Sequence, residues 1–487
     1  MILRFVKAGI LICGLIMVGL LIHKHQGADR AVHNRPALIQ RNPAKQENWM
    51  GVYWNGQRVG FACSSIRRVG DQVEICDHSL LQLLMAGTWQ RVESRSRSLT
   101  KPDLSLRSFS FQLSSADASF SVQGVVEHPH LLLTFVTGKE TLRRTVALTQ
   151  APLLANAAIP SLLRKGVEVG KQYRVYIFDP ATMSTNDMQV TVEGEEERIC
   201  DGKAVRTFRM RQSFKGLESV TWSTPEGVTV FEESPFGFTF KKEDRHTALT
   251  EKLSNQPGDD LLASAAVSAN RHIAHPAAIT CLKIRLQNVP LDGLDLDGGR
   301  QQLQGNFLII QQEETEGCSS YPLPCSRDDM QEFLEADLLI QSDHPRIRQQ
   351  AQKILSGTQD AVASVRLLLH WIDREIRKRP LVSVPSALEV LDLKTGDCNE
   401  HTVLFTALAR SCGLPTRVCT GLVYLNDRFY YHAWSEVFLG AWIAVDPTLN
   451  QFPADATHVR LLIGDLGDQI TVLRLVGRVA IDIAEYS

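Results

Sequence analysis

Three residues with the chemistry of a thiol nucleophile follow one another along the C-terminal part of the chain. Cys398 lies in Gly-Asp-Cys-Asn-Glu-His, His432 lies in Tyr-His-Ala-Trp, and Asp446 lies in Val-Asp-Pro. A cysteine thiolate attacks a carbonyl carbon, an imidazole moves the proton, and a carboxylate fixes the tautomer of the imidazole. The three residues therefore predict nucleophilic catalysis, provided that the fold brings them together.

A helix is expected to begin at Cys398. Its apolar face is formed by Val403, Leu404, Ala407 and Leu408, and Gly413 and Pro415 end it. Asp397 and Glu400 have the spacing of a capping box. In the first turn, the helix dipole and the free backbone N–H groups favour a negative sulfur, whereas the charge of Asp397 opposes it.

Two strands, 428–439 and 442–448, are expected to carry His432 and Asp446. An antiparallel hairpin centred on Leu439 places the two side chains opposite or nearly opposite each other. A slip of one residue would put them on opposite faces of the sheet. We expect Asp446 to accept the Nδ1–H of His432, so that Nε2 faces the sulfur.

The three motifs, together with Gly-Leu-Pro-Thr-Arg-Val at 413–418, resemble the transglutaminase-like superfamily, whose core is related to papain-type cysteine peptidases. The resemblance implies that Cys398 is the nucleophile, His432 the general base and acid, and Asp446 the orienting residue. It also implies a thioester or related acyl-enzyme at the cysteine. The backbone N–H of Cys398 is a candidate oxyanion donor, and Trp434 is a candidate substrate-binding residue.

The superfamily contains peptidases, amide-cleaving enzymes, cross-linking enzymes and inactive scaffolds, so the resemblance leaves the function open. Our first hypothesis is a membrane-tethered hydrolase or acyltransferase that acts on protein or peptide amides. The alternative is a non-catalytic binding or scaffold module in a cell-envelope assembly. A third hypothesis is protein cross-linking, in which an amine replaces water as the acyl acceptor.

The sequence offers candidate ligands for two metal sites, and neither site is favoured. Zinc could use Cys398 and His401 with the downstream Cys412 and Cys419, but Cys412 lies about 20 Å along the helix at 1.5 Å per residue. Residues 292–299 are rich in aspartate and glycine but lack the spacing of a calcium loop. We therefore expect no metal and no organic cofactor.

Composition and charge argue against a nucleic-acid-binding protein. The chain has 487 residues, of which 44% are hydrophobic and 22% charged, which is ordinary for two or three globular domains. The formal net charge of −2 gives no overall attraction to nucleic acid, and no glycine-rich nucleotide motif stands out.

The N-terminus indicates export. Residues 8–22 form an apolar run without a charge, preceded by Arg4 and Lys7. We interpret residues 1–25 as a signal anchor or signal peptide and 26–48 as a linker, with an uncleaved anchor favoured. The expected location is the inner membrane of a cell, with the body on the periplasmic or extracytoplasmic side. Basic residues after the run argue weakly against that orientation.

The predicted fold class is α+β, with an antiparallel β-rich N-terminal domain (a meander, curved sheet or open barrel) preceding the papain-like core. The expected domains are 49–255, a small β connecting region at 276–327, and a transglutaminase-like domain at 328–487 that starts with helices over 330–340, 346–355 and 361–376. Tight turns predict hairpins between successive strands. Residues 152–163 are predicted to form a helix packed on the sheet. The β-rich domain is expected to position substrate or an envelope protein partner.

The sequence leaves the pairing of cysteines in disulfides open. Cys63 and Cys76 flank a turn at Gly70-Asp71, and Cys318 and Cys325 bracket a short loop. Either pair could be bridged if the body is exported.

Overall fold

The structure is a computed structural model. It describes residues 46–115, 118–137, 139–200, 202–250, 260–288, 291–314, 320–382, 384, 386–464 and 471–487. The apolar run at 8–22 lies outside these residues. Within the described ranges, no helix is both long and apolar enough to cross a bilayer. The chain divides into two compact units, one formed by most of the residues before 260 and the other mainly by the residues from 260 onward.

The first unit is a sheet of fifteen strands among the described residues. These are β1 Gln46–Trp54, β2 Gln57–Val69, β3 Gln72–Met85, β4 Thr88–Thr100, β5 Leu106–Ser115, β6 Ala118–Glu127, β7 His130–Thr137, β8 Glu140–Ala147, β9 Leu153–Leu154, β10 Gln172–Asp179, β11 Ser184–Cys200, β12 Lys203–Phe214, β13 Leu217–Ser223, β14 Thr229–Glu233 and β15 Phe238–Glu243. Their spatial order is β8 to β1 and then β15 to β9. The fold is therefore antiparallel, as predicted, and consists of two meanders joined where β1 pairs with β15. Among the described strands, the short β9 is the exception, because it pairs with β10 in parallel.

Local turn chemistry explains the hairpins. Asn55 and Gly56 join β1 to β2 with positive φ angles of 48° and 78°, which is the conformation that an Asn-Gly turn favours. The turn at 225–227 joins β13 to β14, as the sequence predicts. Along β3, buried Leu81, Leu83 and Met85 alternate with less buried neighbours, the period of a half-buried strand.

A helix, α1 (Ala155–Lys165), packs on this sheet and shows that the sheet is curved. Ala157 packs with Val73 and Ile75 of β3, whereas Ile159 and its neighbours pack with side chains of β10, β11 and β12. The two contact regions are far apart in strand order. The sheet must therefore bend around α1, which agrees with the predicted curved sheet.

The first unit also contains a short second helix and the first of the two candidate cysteine pairs. Helix α2 (Arg245–Thr250) follows β15. Cys63 lies opposite His78, and Cys76 lies opposite Ser65, so these two cysteines are offset along the hairpin and no disulfide joins them. Cys318 lies outside the described residues.

The second unit contains the helices that precede and carry the cysteine. They are α3 Leu261–Ala265, α4 Pro345–Leu355, α5 Ala361–Glu375, α6 Ala387–Leu393 and α7 Cys398–Ser411. The predicted helices at 346–355 and 361–376 are confirmed by α4 and α5. The helix predicted over 330–340 is wrong: a 3-10 helix over Asp328–Leu334 is followed by irregular chain. Asp337 accepts hydrogen bonds from the backbone of Leu339 and Ile340, which favours a turn there.

The strands of this unit form three sheets. They are β16 Val267–Ser268, β17 Cys281–Gln287, β18 Gln301–Gln304, β19 Phe307–Gln311, β20 Arg377–Lys378, β21 Thr395–Gly396, β22 Thr416–Leu425, β23 Arg428–Phe438, β24 Trp442–Val445, β25 Val459–Ile463 and β26 Ala480–Tyr486. One sheet has the order β16-β23-β22-β25, with β24 also paired to β23. Another has the order β18-β19-β17-β26, and β20 pairs with β21.

The packing of α7 on β23 positions the candidate site. Cys398 packs against Ala433, and the hydroxyl groups of Thr406 and Ser435 lie 3.0 Å apart. Every residue of α7 from Cys398 to Ala409 is buried. The helix is thus fixed against the strand that carries His432.

Candidate active site

The N-terminus of α7 is built as its sequence predicts. The Asp397 carboxylate accepts the N–H of Asn399 at 2.9 Å, and the Asp397 N–H donates to Glu400 Oε2 at 2.8 Å. This reciprocal capping box makes Cys398 the first residue of the helix. The thiol therefore lies where the helix dipole favours a thiolate.

His432 and Asp446 meet, but not by the register that we expected. The hairpin pairs Ser435 with Val445 and Glu436 with Ala444, so its centre is Gly440 rather than Leu439. Asp446 follows the end of β24 and bridges to Gln451 instead. His432 and Asp446 are therefore diagonal neighbours on one face, close enough for a hydrogen bond of 2.7 Å.

The nitrogen that faces the carboxylate is also different from the expected one. His432 Nε2 contacts Asp446 Oδ2, whereas we expected Nδ1 in this position. A carboxylate only accepts hydrogen bonds, so Nε2 carries the proton. Nδ1 is then the ring nitrogen available to the Cys398 thiol, which hydrogen-bonds the ring.

The charges in this group favour an imidazolium. Burial lowers the pKa of His432, but the charge of Asp446, the Cys398 side chain and their hydrogen bonds raise it to about 9. Burial alone would raise the pKa of Asp446; the two nearby imidazoles hold it below its usual value. A cationic His432 beside Cys398 is the arrangement that stabilises a thiolate.

A second imidazole, which the sequence analysis missed, shares the same carboxylate oxygen. His458 Nε2 lies 2.9 Å from Asp446 Oδ2, and His458 Nδ1 lies 3.2 Å from Asp455 Oδ1. The other oxygen of Asp446 accepts the N–H groups of Thr448 and Leu449 at 2.7 and 2.9 Å. No motif in the sequence indicates this role for His458, whose only clue is that it follows Asp446 by twelve residues.

Trp434 packs inside this group. Its ring is stacked on His432 with centroids 6.2 Å apart, and it meets His458 edge to face at 5.3 Å. Trp434 is fully buried, and its Nε1–H has no partner among the described residues. A substrate-binding role for Trp434 stays a prediction. Cys398, His432 and Asp446 are also buried, with 2%, 1% and 0% of their surfaces exposed.

Two other polar residues, Asp397 at the N-cap and His401, lie in or next to the first turn of α7. Burial, followed by the charge of Glu400, raises the pKa of Asp397 well above its usual value, so Asp397 opposes a thiolate less than its formal charge suggests. His401 Nδ1 lies 2.6 Å from the backbone oxygen of Asp397, and its Nε2 has no partner within the described structure. Burial lowers the pKa of His401, so this ring is neutral.

Some of the same side chains also have the chemistry of metal ligands. Among the described residues, one group could hold an ion: His432, Asp446 and His458, whose ligand atoms lie within 4.8 Å of one another. Both imidazoles already donate to Asp446 Oδ2, so an ion would have to displace two hydrogen bonds. The candidate zinc ligands of the sequence, Cys398, His401, Cys412 and Cys419, do not form such a group.

Comparison with known structures returns proteins of low identity. One is a "putative cysteine protease" from Cytophaga hutchinsonii, with 18% identity, a TM-score of 0.28, and coverage of 43% of this chain and 85% of that chain. Another is the periplasmic domain of TgpA from Pseudomonas aeruginosa, with 16% identity, a TM-score of 0.22, and coverage of 36% and 88%. These likenesses are too distant to carry an argument. No curated protein sequence matches this chain.

Comparison with protein families gives a match that coincides with the site. The family described as "Transglutaminase-like superfamily" matches residues 348–447. This range includes α7, β23 and β24, and therefore Cys398, His432 and Asp446, whereas His458 lies beyond it. The α+β architecture and the buried helix–strand packing described above agree with the match. The chain thus carries, at residues 348–447, a domain of the transglutaminase-like superfamily.

Proposed function

We propose that the protein is a thiol enzyme that cleaves or transfers acyl groups of protein or peptide amides. The observation that carries the proposal is the chain of contacts from Cys398 at the start of α7 to His432 and on to Asp446. Nothing else in the described structure combines a nucleophile, a base and an orienting carboxylate in this way.

In the first step, the Cys398 thiolate forms a C–S bond to the amide carbonyl carbon. The negative charge moves to the carbonyl oxygen, where the N–H of Cys398 is a donor, because the first amides of a helix have no partner within the helix. His432 then gives its Nδ1 proton to the amide nitrogen, the C–N bond breaks, and an amine leaves. The product of this step is a thioester at Cys398.

In the second step, water or an amine attacks the thioester. His432 Nδ1 takes the proton of the attacking group as a C–O or C–N bond forms, and the C–S bond breaks to regenerate the thiolate. Asp446 holds the ring through Nε2 during both steps. Water gives hydrolysis, and an amine gives acyl transfer or cross-linking.

Location and partners belong to the same proposal. We propose that residues 8–22 tether the chain to the inner membrane with the body outside the cytoplasm, and that the curved sheet of the first unit positions a protein substrate or an envelope partner. Supporting features are the basic start followed by an apolar run in the sequence. Fractionation with protease protection of the tagged full chain would test the orientation.

A thiol-specific label tests the chemistry, and the chain supplies its own control. Cys412 ends the same helix and is more exposed than Cys398, but burial raises its pKa to about 11. At pH 7 we expect chloroacetamide to label Cys398 at least about tenfold faster in the native chain than in His432→Ala, since the thiolate is the reactive form. Thr406→Val should keep the native rate, and Cys412 should be labelled slowly and at the same rate in all three proteins.

The burial of Cys398 favours a second candidate, a non-catalytic scaffold. It predicts that His432→Ala leaves the labelling rate of Cys398 unchanged. The two acyl acceptors are then separated with a glutamine-bearing peptide: incorporation of a fluorescent amine indicates transfer, and release of ammonia without incorporation indicates hydrolysis.

A further inference from the structure

His458 has only hydrogen-bond acceptors at both of its ring nitrogens. Nε2 lies 2.9 Å from Asp446 Oδ2, and Nδ1 lies 3.2 Å from both the carboxylate and the backbone oxygen of Asp455. A neutral imidazole donates from one nitrogen only, whereas an imidazolium donates from both. The contacts of His458 therefore require its cationic form.

The surroundings fix this cation in place. His458 is fully buried. Asp455 is held by the N–H and hydroxyl groups of Thr457 at 2.8 and 2.6 Å and by Gln451 at 2.8 Å. Arg300 donates to the backbone oxygen of Asp455 at 2.8 Å. Both carboxylates that accept from the ring are thus held in place by other hydrogen bonds.

We propose that His458 is a positioning residue that shares the carboxylate of Asp446 with His432 and sets the pH range in which Cys398 and His432 react. This inference rests on the proposed function and adds a fourth and fifth residue, His458 and Asp455, to the site. The two imidazoles meet one oxygen, Oδ2, and their ring centroids lie 5.8 Å apart.

The effect follows from the charges. His432 has to give up its proton to the leaving amine, and a buried carboxylate with no other partner would hold that proton too tightly. The imidazolium of His458 neutralises Asp446 while His432 is neutral. It also repels a proton on His432, which keeps that proton available for transfer at moderate pH.

Other charged groups around His458 come from several elements. Asp446, Asp455 and His432 contact or face the ring directly, and Cys398 contacts His432. Farther away are three buried groups: Arg300 with Glu313 at 3.8 Å, Glu436 with Arg460 at 3.0 Å, and His401, on which the charge of Asp446 acts. The first two groups are ion pairs and His401 is neutral, so the carboxylate shared by the two imidazoles dominates.

The test is the rate at which iodoacetate labels Cys398 in the full chain from pH 4 to pH 10. The rate rises as the thiolate forms, which gives an acid limb of the pH profile. It falls when His432 loses the proton whose positive charge attracts the anionic reagent, which gives an alkaline limb. In His458→Gln, loss of a positive charge should move the alkaline limb to higher pH by about one to two units, estimated across about 6 Å at a dielectric constant of about 20 to 40. The acid limb should move less, because Cys398 contacts His432 rather than His458.

A second variant separates charge from shape. Asp455→Asn is nearly isosteric and retains the imidazole and the backbone oxygen near Nδ1, but it removes the negative charge that stabilises the His458 cation. It should move the alkaline limb in the same direction as His458→Gln. Thr406→Val, which removes a buried hydrogen bond of α7 without a change of charge, should leave both limbs in place.

Each outcome has one meaning. If both His458→Gln and Asp455→Asn lower the rate but leave the limbs unchanged, His458 has only a packing role and the inference is overturned. Asp455→Asn keeps the test valid if His458→Gln does not fold. If Cys398 of the unaltered chain shows no enhanced labelling at any pH, the proposed function fails instead.

Discussion

His432 donates to Asp446 through Nε2 at 2.7 Å, so the nitrogen left for the thiol is Nδ1. The interaction joins the middle of β23 to the first residue after β24. It is enclosed on one side by Trp434 and on another by His458. The tautomer and orientation of the proposed base thus depend on a residue outside the strand pairing.

Asp446→Asn should therefore impair chemistry more than stability. An amide can donate as well as accept, so it permits the tautomer with the proton on Nδ1 and a lone pair on Nε2, and it no longer stabilises an imidazolium. We expect a loss of about 10³- to 10⁴-fold in the labelling rate of Cys398 or in turnover, by analogy with other oriented imidazoles. Asp455→Asn, one step farther away, should retain most of the rate at its own optimal pH.

The stability of the second unit should fall between pH 6.5 and pH 9. The pKa values of His432 and His458 are raised to about 9 in the folded protein, against about 6.5 when unfolded. Their stabilising contribution is complete below pH 6.5 and is lost as pH rises through 9. The slope should be about 1.4 kcal/mol per pH unit for each proton released.

Hydrogen exchange of the β23 amides, corrected for the intrinsic pH dependence, measures this slope. His458→Gln leaves one of the two titrating imidazoles, so its slope should be roughly halved. A native slope near zero over this range would contradict the prediction. Below pH 4 the sign reverses for Asp446 and Asp455, whose pKa values are lowered, so stability is lost as they gain protons.

The capping box should contribute measurably to α7. Asp397→Ala removes the acceptor of the Asn399 N–H and should lower the free energy of unfolding by about 1 kcal/mol, with about 2 as an upper value. Asp397→Asn keeps a side-chain oxygen at this position and is the matched control. Urea unfolding of both variants, followed by α7 amide protection, would show whether the cap acts locally; equal losses would argue against it.

A methyl group at Gly421 should disturb the whole site. A Cβ there would lie 2.0 Å from the backbone oxygen of Val459 and 2.9 Å from the ring of Trp434. Because a backbone oxygen cannot rotate away, β22 and β25 would have to separate, and His458 directly precedes β25. We expect Gly421→Ala to lower the melting temperature by several degrees and to slow the labelling of Cys398.

Gly194→Ala is the control for that substitution. A Cβ at Gly194 meets no atom within 4 Å, and the residue belongs to β11 of the other unit. It should leave both the melting temperature and the labelling rate nearly unchanged. A Gly421→Ala protein as stable and as reactive as this control would show that the strands tolerate separation.

Local patterns in the sequence determined the start of α7, the hairpins and the α+β division of the chain. The spacing of Asp397 and Glu400 is sufficient to specify a capping box, because all its hydrogen bonds lie within one turn. The Asn55-Gly56 turn is equally local. Such features depend on residues that are close along the chain, so they can be predicted from the sequence alone.

What the tertiary structure decided is how distant residues share partners. The hairpin centre at Gly440, the choice of Nε2 and the approach of His458 to Asp446 depend on how the loop at 446–458 folds back onto β23. Periodicity indicates which face a side chain occupies, but not which of several buried acceptors it will reach. That choice is made when burial removes water and each polar atom must find a partner within the fold.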